Sequence, residues 1–155
     1  MREAIGGTWL TGIVITFIVI FSGFLVYSIN YTKAFRAKNE IINIIEKNEG
    51  FTTTKQNLNN ITSTQLEQDK TTQALIFKFI KSLGYSTSND ISCPSGSTAF
   101  DGYCLAKHTN ESNSRSYYTV TTYIRLSIPV LDIGVKIPIT GQTKTMYYDK
   151  GNWKG

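Results

Sequence analysis

The chain has 155 residues, a formal net charge of +5 and two cysteines. With an apolar N-terminal segment set aside, about 120 residues remain, enough for one small domain and too few for two. Apart from Lys33, Arg36 and Lys38 the basic residues are scattered singly, and no basic run contains interleaved aromatic residues, so we expect no nucleic-acid partner.

The N-terminal segment predicts a membrane-spanning helix. The 29 residues from Ala4 to Thr32 include no Asp, Glu, Lys or Arg, and about 20 apolar residues suffice to cross a bilayer core. A cleavable secretory signal would have an apolar core of roughly 7 to 15 residues and an Ala-x-Ala-like site. We therefore expect a short tail at residues 1–8 and a retained transmembrane helix, in contact with lipid, at residues 9–31.

Small and hydroxyl residues along this span are typical of positions at which membrane helices touch. The candidate helix-contact residues are Thr11, Gly12, Thr16, Ser22 and Gly23. The alternative is that the hydroxyl groups bond carbonyl oxygens of their own helix. The span contains no G-x-x-x-G motif that would decide for a helix partner.

The helix is expected to continue beyond the membrane, over residues 32–49. No Pro or internal Gly interrupts this stretch, and Gly50 is a natural stop. Apolar residues recur at intervals of three and four, which predicts one apolar stripe: Ala34, Ala37, Ile41, Ile44 and Ile45. A sheet with one apolar face needs a cover, so we expect this stripe to pack against β-strands.

A second helix is predicted at residues 64–83. Thr64 and Glu67 have the spacing of a capping box, and Gly84 ends the apolar run. The whole of residues 32–155 would then form one extracytoplasmic domain.

An antiparallel sheet is predicted for residues 85–148. The stretches SYYTVTTYIRLSIP and DIGVKIPITG alternate apolar and polar residues, and Asp101 with Gly102 favours a hairpin. QTKTMYY is predicted as a last short strand. Pro138 lacks a donor, so its strand is expected to lie at an edge or to break there. The fold class is thus α+β, with a long N-terminal helix packed on a small antiparallel sheet.

Cys93 and Cys104 flank a turn-rich segment, CPSGSTAFDGYC. In an oxidising compartment they would form one disulfide; the alternative is two unpaired thiols. Two cysteines cannot complete a zinc site, and the spacing is not that of a C-x-x-C redox motif.

Two features of the sequence disagree on membrane orientation. The positive residues Lys33, Arg36 and Lys38 follow the span, whereas Arg2 precedes it, and this distribution favours a cytoplasmic C-terminal side. The cysteine pair and the Ser, Thr and Tyr-rich strands instead suit an external domain. We expect a single-pass cell-membrane protein with a cytoplasmic N-terminus and an extracellular C-terminal domain.

The sequence contains no catalytic constellation. His108 lies in a polar stretch, LAKHTNES, and Asp90, Asp101 and Glu111 lie near turns. There is no phosphate-binding glycine loop and no H-E-x-x-H motif. We expect a protein that is not an enzyme and that has no metal or cofactor.

Three stretches together resemble the TadE-like minor pilins, or pseudopilins, of Gram-positive tight-adherence pilus systems. They are GGTWLTGIVITF, INYTKAFRAKNEIINIIEKNEGF and YIRLSIPVLDIGVKIPITGQTKTMYY. The resemblance implies a pilin-like fold, with a helix that is half membrane anchor and half domain core. It also implies partners among other pilin-like subunits or pilus assembly platform proteins.

The N-terminus departs from the usual prepilin pattern, in which cleavage after a Gly leaves a Glu at the fifth mature position. The candidate processing residues are Gly6 and Gly7, and cleavage there would place Thr11 or Gly12 at that position. Glu3 precedes both glycines. The sequence leaves open whether the N-terminus is cut, and whether the chain is a fibre subunit or an assembly factor.

Three functions stay open. The first is a pilus or secretion-apparatus component whose helix assembles with other pilin-like helices and displays the domain. The second is a bitopic surface protein whose domain binds an extracellular ligand, and the third is an inverted protein with a cytoplasmic adaptor domain. No flexible Gly/Ser linker separates the span from the domain, which favours the first.

Overall fold

The computed structural model describes residues 2–54, 58, 62–88, 90–110, 115–128, 133–147 and 151. Its elements in chain order are α1 (Arg2–Lys47), α2 (Ser63–Gln68), α3 (Thr72–Ser82), β1 (Thr98–Phe100), β2 (Tyr103–Asn110), β3 (Arg115–Ile128) and β4 (Ile133–Gln142). The predicted α+β class is confirmed, because α1 packs against a four-stranded antiparallel sheet. We call the part of the chain from Ala34 onward the head.

Helix α1 is a single unbroken helix of 46 residues, about 70 Å long at a rise of about 1.5 Å per residue. Residues 2–8, which belong to the expected short tail, form the first turns of α1. At the other end, α1 stops at Lys47 rather than at residue 49. Glu49 and Gly50 have positive φ angles of 52° and 143°, which turns the chain out of the helix.

The C-terminal part of α1, from Ala34 onward, forms one wall of the head's core. Ala34, Ala37, Ile41 and Ile45 have no exposed surface, and Ile44 is partly buried against the same cluster. Their neighbours in the cluster come from the sheet, from α3 and from the loop after α1, and include Leu105, Tyr118, Val120, Ile124, Ile76, Ile80 and Phe51. The alanines let the two backbones come close, so that the Thr122 hydroxyl donates to the Ala34 carbonyl oxygen at 3.1 Å.

The single helix predicted at residues 64–83 is two helices, α2 and α3, separated by a bend at Asp69. The Asp69 carboxylate accepts hydrogen bonds from the Thr71 backbone N–H at 2.9 Å and from the Thr54 hydroxyl at 2.6 Å. The Thr71 hydroxyl in turn accepts from the Ala74 N–H and caps α3. These side-chain bonds satisfy backbone donors that would otherwise have continued one helix.

The start of α2 also differs from the prediction. The capping residue is Thr62, whose backbone N–H donates to the Gln65 side-chain oxygen at 3.2 Å. Thr64 and Glu67, the predicted capping pair, both lie inside α2. The spacing rule selected the right type of motif two residues too late.

The sheet has the strand order β1-β2-β3-β4, with every neighbouring pair antiparallel. The hairpin predicted at Asp101 and Gly102 joins β1 to β2, and Gly102 has a φ of 93° that favours glycine. The sheet starts later than predicted, at Thr98. Its predicted last strand is reduced to an isolated bridge between Met146 and Ser116.

The hydroxyl of Tyr85 takes the place of a strand beside β3. It accepts from the Tyr123 N–H at 2.8 Å and lies 3.1 Å and 3.2 Å from the carbonyl oxygens of Tyr123 and Gly102. Strand β2 begins only at Tyr103, so these backbone groups of β3 have no strand partner at this point. Burial raises the pKa of the Tyr85 phenol, which keeps the hydroxyl protonated.

Pro138 lies in β4, which is an edge strand and continues unbroken through it. Pro138 pairs with Tyr123 in register. Because both backbone groups of Tyr123 point to Tyr85, away from β4, this pair is one of the non-hydrogen-bonded pairs of an antiparallel ladder. The nitrogen of Pro138 therefore faces the open edge, where no ladder bond is lost.

We predict that Ile41→Ala lowers the free energy of unfolding of the head by about 2 to 5 kcal/mol, because it leaves a cavity at a fully buried site. The matched control is Ile18→Ala, the same change on the same helix at a residue that is 56% exposed. Urea unfolding of the full chain in detergent, followed by near-ultraviolet circular dichroism, measures both variants. Equal losses in the two variants would contradict the packing of α1 on the sheet.

Candidate functional site

The N-terminal half of α1, up to Tyr31, has an uncovered apolar surface. Among the described residues α1 is the one helix long and apolar enough to cross a membrane, and its most apolar window of 18 residues has a mean hydropathy of 2.4 with none of it buried. Large side chains such as Trp9, Phe17 and Phe24 are more than 60% exposed. Exposing this apolar surface to water would be very unfavourable, so we expect lipid or protein to cover it.

The hydroxyl groups of the span bond their own helix. Thr11 donates to the Gly7 carbonyl oxygen and Thr16 to that of Gly12, both at 2.9 Å, and Ser22 donates to the Ile18 carbonyl oxygen at 2.7 Å. This is the alternative that the sequence left open. None of these three hydroxyl groups needs an acceptor from a partner helix, although each side chain can still lie in a helix–helix contact.

The two glycines among the predicted contact residues are open positions. A Cβ atom added at Gly12 or at Gly23 would meet no atom within 4 Å. A shallow groove follows the helix surface at Gly12, lined on its sides by Trp9, Ile13, Thr16 and Phe17. Such a groove lets another helix backbone come close, as small residues do in membrane helix pairs.

The five predicted contact residues lie on two sides of α1. Gly12, Thr16 and Gly23 are spaced four and seven residues apart, and Ala34 follows Gly23 by eleven, so all four lie on one side of a helix with about 3.6 residues per turn. Thr11 and Ser22 are also eleven residues apart and lie on another side. The first line of small residues therefore runs directly below the stripe that packs in the head.

Exposed aromatic residues form two separate stacks on α1. The rings of Phe17 and Phe21 stack at 6.2 Å, and higher up Tyr27, Tyr31 and Phe35 stack in succession at 6.2 Å and 6.1 Å. The two tyrosines lie at the upper end of the span, where such residues are typical of the membrane–water interface. In a membrane crossed by this helix, they would lie at the bilayer surface, close to the base of the head.

The predicted processing residues, Gly6 and Gly7, lie within the first two turns of α1. A peptidase that cut there would have to act on a helical segment or to unwind it. Whether either residue is a cleavage site stays a prediction.

Cys93 and Cys104 form a disulfide across a sequence separation of 11 residues. Cys104 is buried in β2 beside Tyr123, whose hydroxyl lies 3.4 Å from its sulfur and donates to the Ser92 carbonyl oxygen at 2.7 Å. The disulfide and this hydrogen bond together tie the segment before β1 to the sheet. The bond forms a structural staple, as such bonds do in proteins of oxidising compartments.

The described polar residues that were considered for chemistry contact neighbouring residues of the head. The Asp90 carboxylate pairs with Lys136 at 2.7 Å, and that hydrogen bond lowers the pKa of Asp90. Asp101 is buried, which raises its pKa, and it accepts from the Gln73 amide at 3.0 Å. His108 is exposed and stacks on Tyr117 at 4.7 Å. Glu111 lies outside the described residues.

Metal ligands are not clustered in the part of the chain that the structure describes. There, no group of three or more His, Cys, Asp or Glu residues is placed to hold a metal ion. The surface that stands out is therefore the span itself, together with its junction to the head.

Comparison of the chain with protein-family models, with curated proteins and with solved structures gives no match.

We predict that the double variant Cys93→Ser/Cys104→Ser loses roughly 2 to 3 kcal/mol of head stability, because the staple closes a short loop and limits the unfolded chain. Urea unfolding with and without a reductant measures it. The wild-type chain should lose the same amount when reduced, and the double variant should be insensitive to the reductant. A reductant effect on the double variant would show that the loss has another source.

Proposed function

We propose that the chain is a membrane-anchored, pilin-like structural or assembly component of a tight-adherence-type pilus or secretion apparatus. Its span assembles with other pilin-like helices or with assembly platform proteins, and its head is displayed outside the cell. The resemblance in the juxtamembrane and closing stretches supports this proposal, and the structure adds one observation that carries it.

That observation is the rigid continuity of the span and the head. Tyr31 is exposed at the upper end of the span, and Ala34, only three residues later, is fully buried in the core of the head. The residues between them are helical, and the Thr32 hydroxyl bonds the Ser28 carbonyl oxygen at 2.9 Å. A simple anchor needs no such stiffness, whereas a subunit of an assembly uses it to fix where its head lies.

The disulfide supports the external placement of the head. Disulfides persist in oxidising compartments and are rare in the cytosol. The positive residues after the span favour the opposite orientation, and we give the disulfide and the Ser, Thr and Tyr-rich strands more weight than this charge distribution. A cytoplasmic N-terminus with a single span is therefore the orientation we propose.

The decisive test is a flexible insertion. Placing Gly-Gly-Ser between Tyr31 and Thr32 separates the span from the head without touching a core residue. We expect the variant to stay in the membrane and to keep the urea midpoint of its head, but to lose copurification with its assembly partners. The matched control is an insertion of four alanines, which keeps the helix and adds about one turn.

The two insertions separate the alternatives. If the Gly-Gly-Ser variant assembles as well as the wild-type chain, the helix is a plain anchor and the reading as a surface protein with a ligand-binding head replaces the proposal. If neither insertion variant copurifies with the partners, the changed length of α1 accounts for the loss, and helical continuity is not its cause.

We also predict that single cysteines on the small-residue line of the span form crosslinks to neighbouring helices in membranes. Thr16→Cys should crosslink under mild oxidation, because it lies beside the open Gly12 groove. Phe21→Cys is the control: it lies on nearly the opposite side of α1 from Thr16 and should crosslink much less. Non-reducing gels of membranes measure both. Equal crosslinking of the two positions would mean that no particular side of α1 is a contact surface.

A further inference from the structure

A basic pocket lies at the base of the head, where α1 leaves the span. Its lining comes from α1, from the turn after α3 and from β3, and consists of Asn30, Lys33, Gly84–Ser86, Tyr123 and Arg125. A second hollow adjoins it at Lys33 and is walled by Ile29, Leu83 and Arg36 together with small polar residues. We call the two together the basal pocket.

The α1 side of the basal pocket provides two positive charges. The Lys33 ammonium lies over Gly84, 3.6 Å from the place a Cβ atom would take there. Arg36 is exposed, three residues further along the helix. Neither the Lys33 ammonium nor the Arg36 guanidinium group forms a hydrogen bond or an ion pair with any other residue that the structure describes. Both charges are therefore available to an anion from outside the chain.

The β3 side provides a fixed guanidinium group. Arg125 donates through Nη1 to the Ser86 hydroxyl at 2.6 Å and through Nη2 to the Ser88 carbonyl oxygen at 3.0 Å. Its third nitrogen, Nε, is buried and has no hydrogen-bond partner among the described residues. A buried donor without a partner is unfavourable, so an acceptor at this place would be stabilising.

The nearby acid does not neutralise this group of cations. The Asp90 carboxylate interacts electrostatically with Arg125, but its hydrogen bonds and its ion pair are with Lys136. The Lys136 ammonium also donates to the Asp90 carbonyl oxygen at 2.6 Å. Asp90 is thus occupied by Lys136, and Lys33, Arg36 and Arg125 keep an excess of positive charge.

We propose that the basal pocket binds the phosphate group of an anionic phospholipid in the membrane that the span crosses. Guanidinium and ammonium groups are the usual protein ligands of phosphate, and Arg presents several donors in one plane. Lys33 is two residues above Tyr31, about 3 Å along the helix axis, which is the level of lipid head groups. The apolar Ile29 and Leu83 beside Arg36 offer a surface for the first part of an acyl chain.

This inference rests on the membrane anchoring in the proposed function and not on pilus assembly. The two can fail separately, because lipid binding is measured on the purified full chain without any partner. A chain that loses assembly in the insertion experiment can still bind the lipid. A chain that assembles can equally show no lipid preference.

The experiment is a titration of the detergent-solubilised full chain with phosphatidylglycerol or with phosphatidylcholine, with bound lipid counted by native mass spectrometry. We expect tighter binding of phosphatidylglycerol. Lys33→Gln and Arg36→Gln should each weaken it by about fivefold, the effect of one charge near an anionic surface. Lys47→Gln, at the far end of α1, is the matched control and should leave it unchanged.

Arg125→Lys and Arg125→Gln test the β3 side, and their urea midpoints show whether the head is folded. Arg125→Lys should keep part of the preference for the anionic lipid. If Arg125→Gln does not fold, the two α1 variants still decide the question, since neither changes a core residue.

Three results would overturn the proposal. The first is equal affinity for the two lipids, and the second is a loss in Lys47→Gln as large as that in Lys33→Gln. The third comes from a parallel titration with inorganic phosphate: binding that depends on Lys33 and Arg36, with no preference for the anionic lipid, would make the pocket a site for free phosphate.

Discussion

The structure depends on the burial of one stripe of α1 against the sheet. Ala34, Ala37, Ile41 and Ile45 are the residues that turn a membrane helix into a part of a folded domain. At about 25 cal/mol per Å² of apolar surface, this burial is the main favourable term that holds α1 on β3 and β4. The bond from the Thr122 hydroxyl to the Ala34 carbonyl oxygen adds direction to that contact. Because the first buried residue follows the span at once, the head has no freedom to swing on its anchor.

That constraint links the two surfaces considered as sites. If the span crosses a membrane as we propose, a head fixed to the helix has one end that always faces the bilayer, and Lys33, Arg36 and Arg125 lie at that end. The same fixed geometry places the line of Gly12, Thr16 and Gly23 directly below the head. A partner helix on that line would lie under the head. Ile29, Lys33 and Arg36 of the basal pocket instead lie on the side of α1 that carries Thr11 and Ser22. Lipid and protein contacts of α1 would then use different sides of the helix.

Local patterns predicted the long helix, its stripe and the first hairpin, because each depends on the spacing of residues close in sequence. They placed the cap of α2 at Thr64 instead of Thr62. They also missed the break at Asp69, whose carboxylate bonds both the nearby Thr71 N–H and the Thr54 hydroxyl, fifteen residues earlier. The span and Lys33 and Arg36 could be read from the sequence. Arg125 could not be joined to them, because only the packing of α1 on β3 brings it to the base of the head. The role of Tyr85 was missed for the same reason, because its hydroxyl bonds backbone groups of Tyr123, a residue distant in sequence.

The open edge of β4 limits how copies of this chain can meet. Pro138 turns its ring nitrogen to the open side of β4, so an incoming strand would find a carbonyl-bonding position without a donor. Growth by edge-to-edge strand joining, the route by which sheets aggregate into amyloid-like ribbons, is thereby discouraged. Copies of this chain that meet at β4 would therefore stay separate folded units.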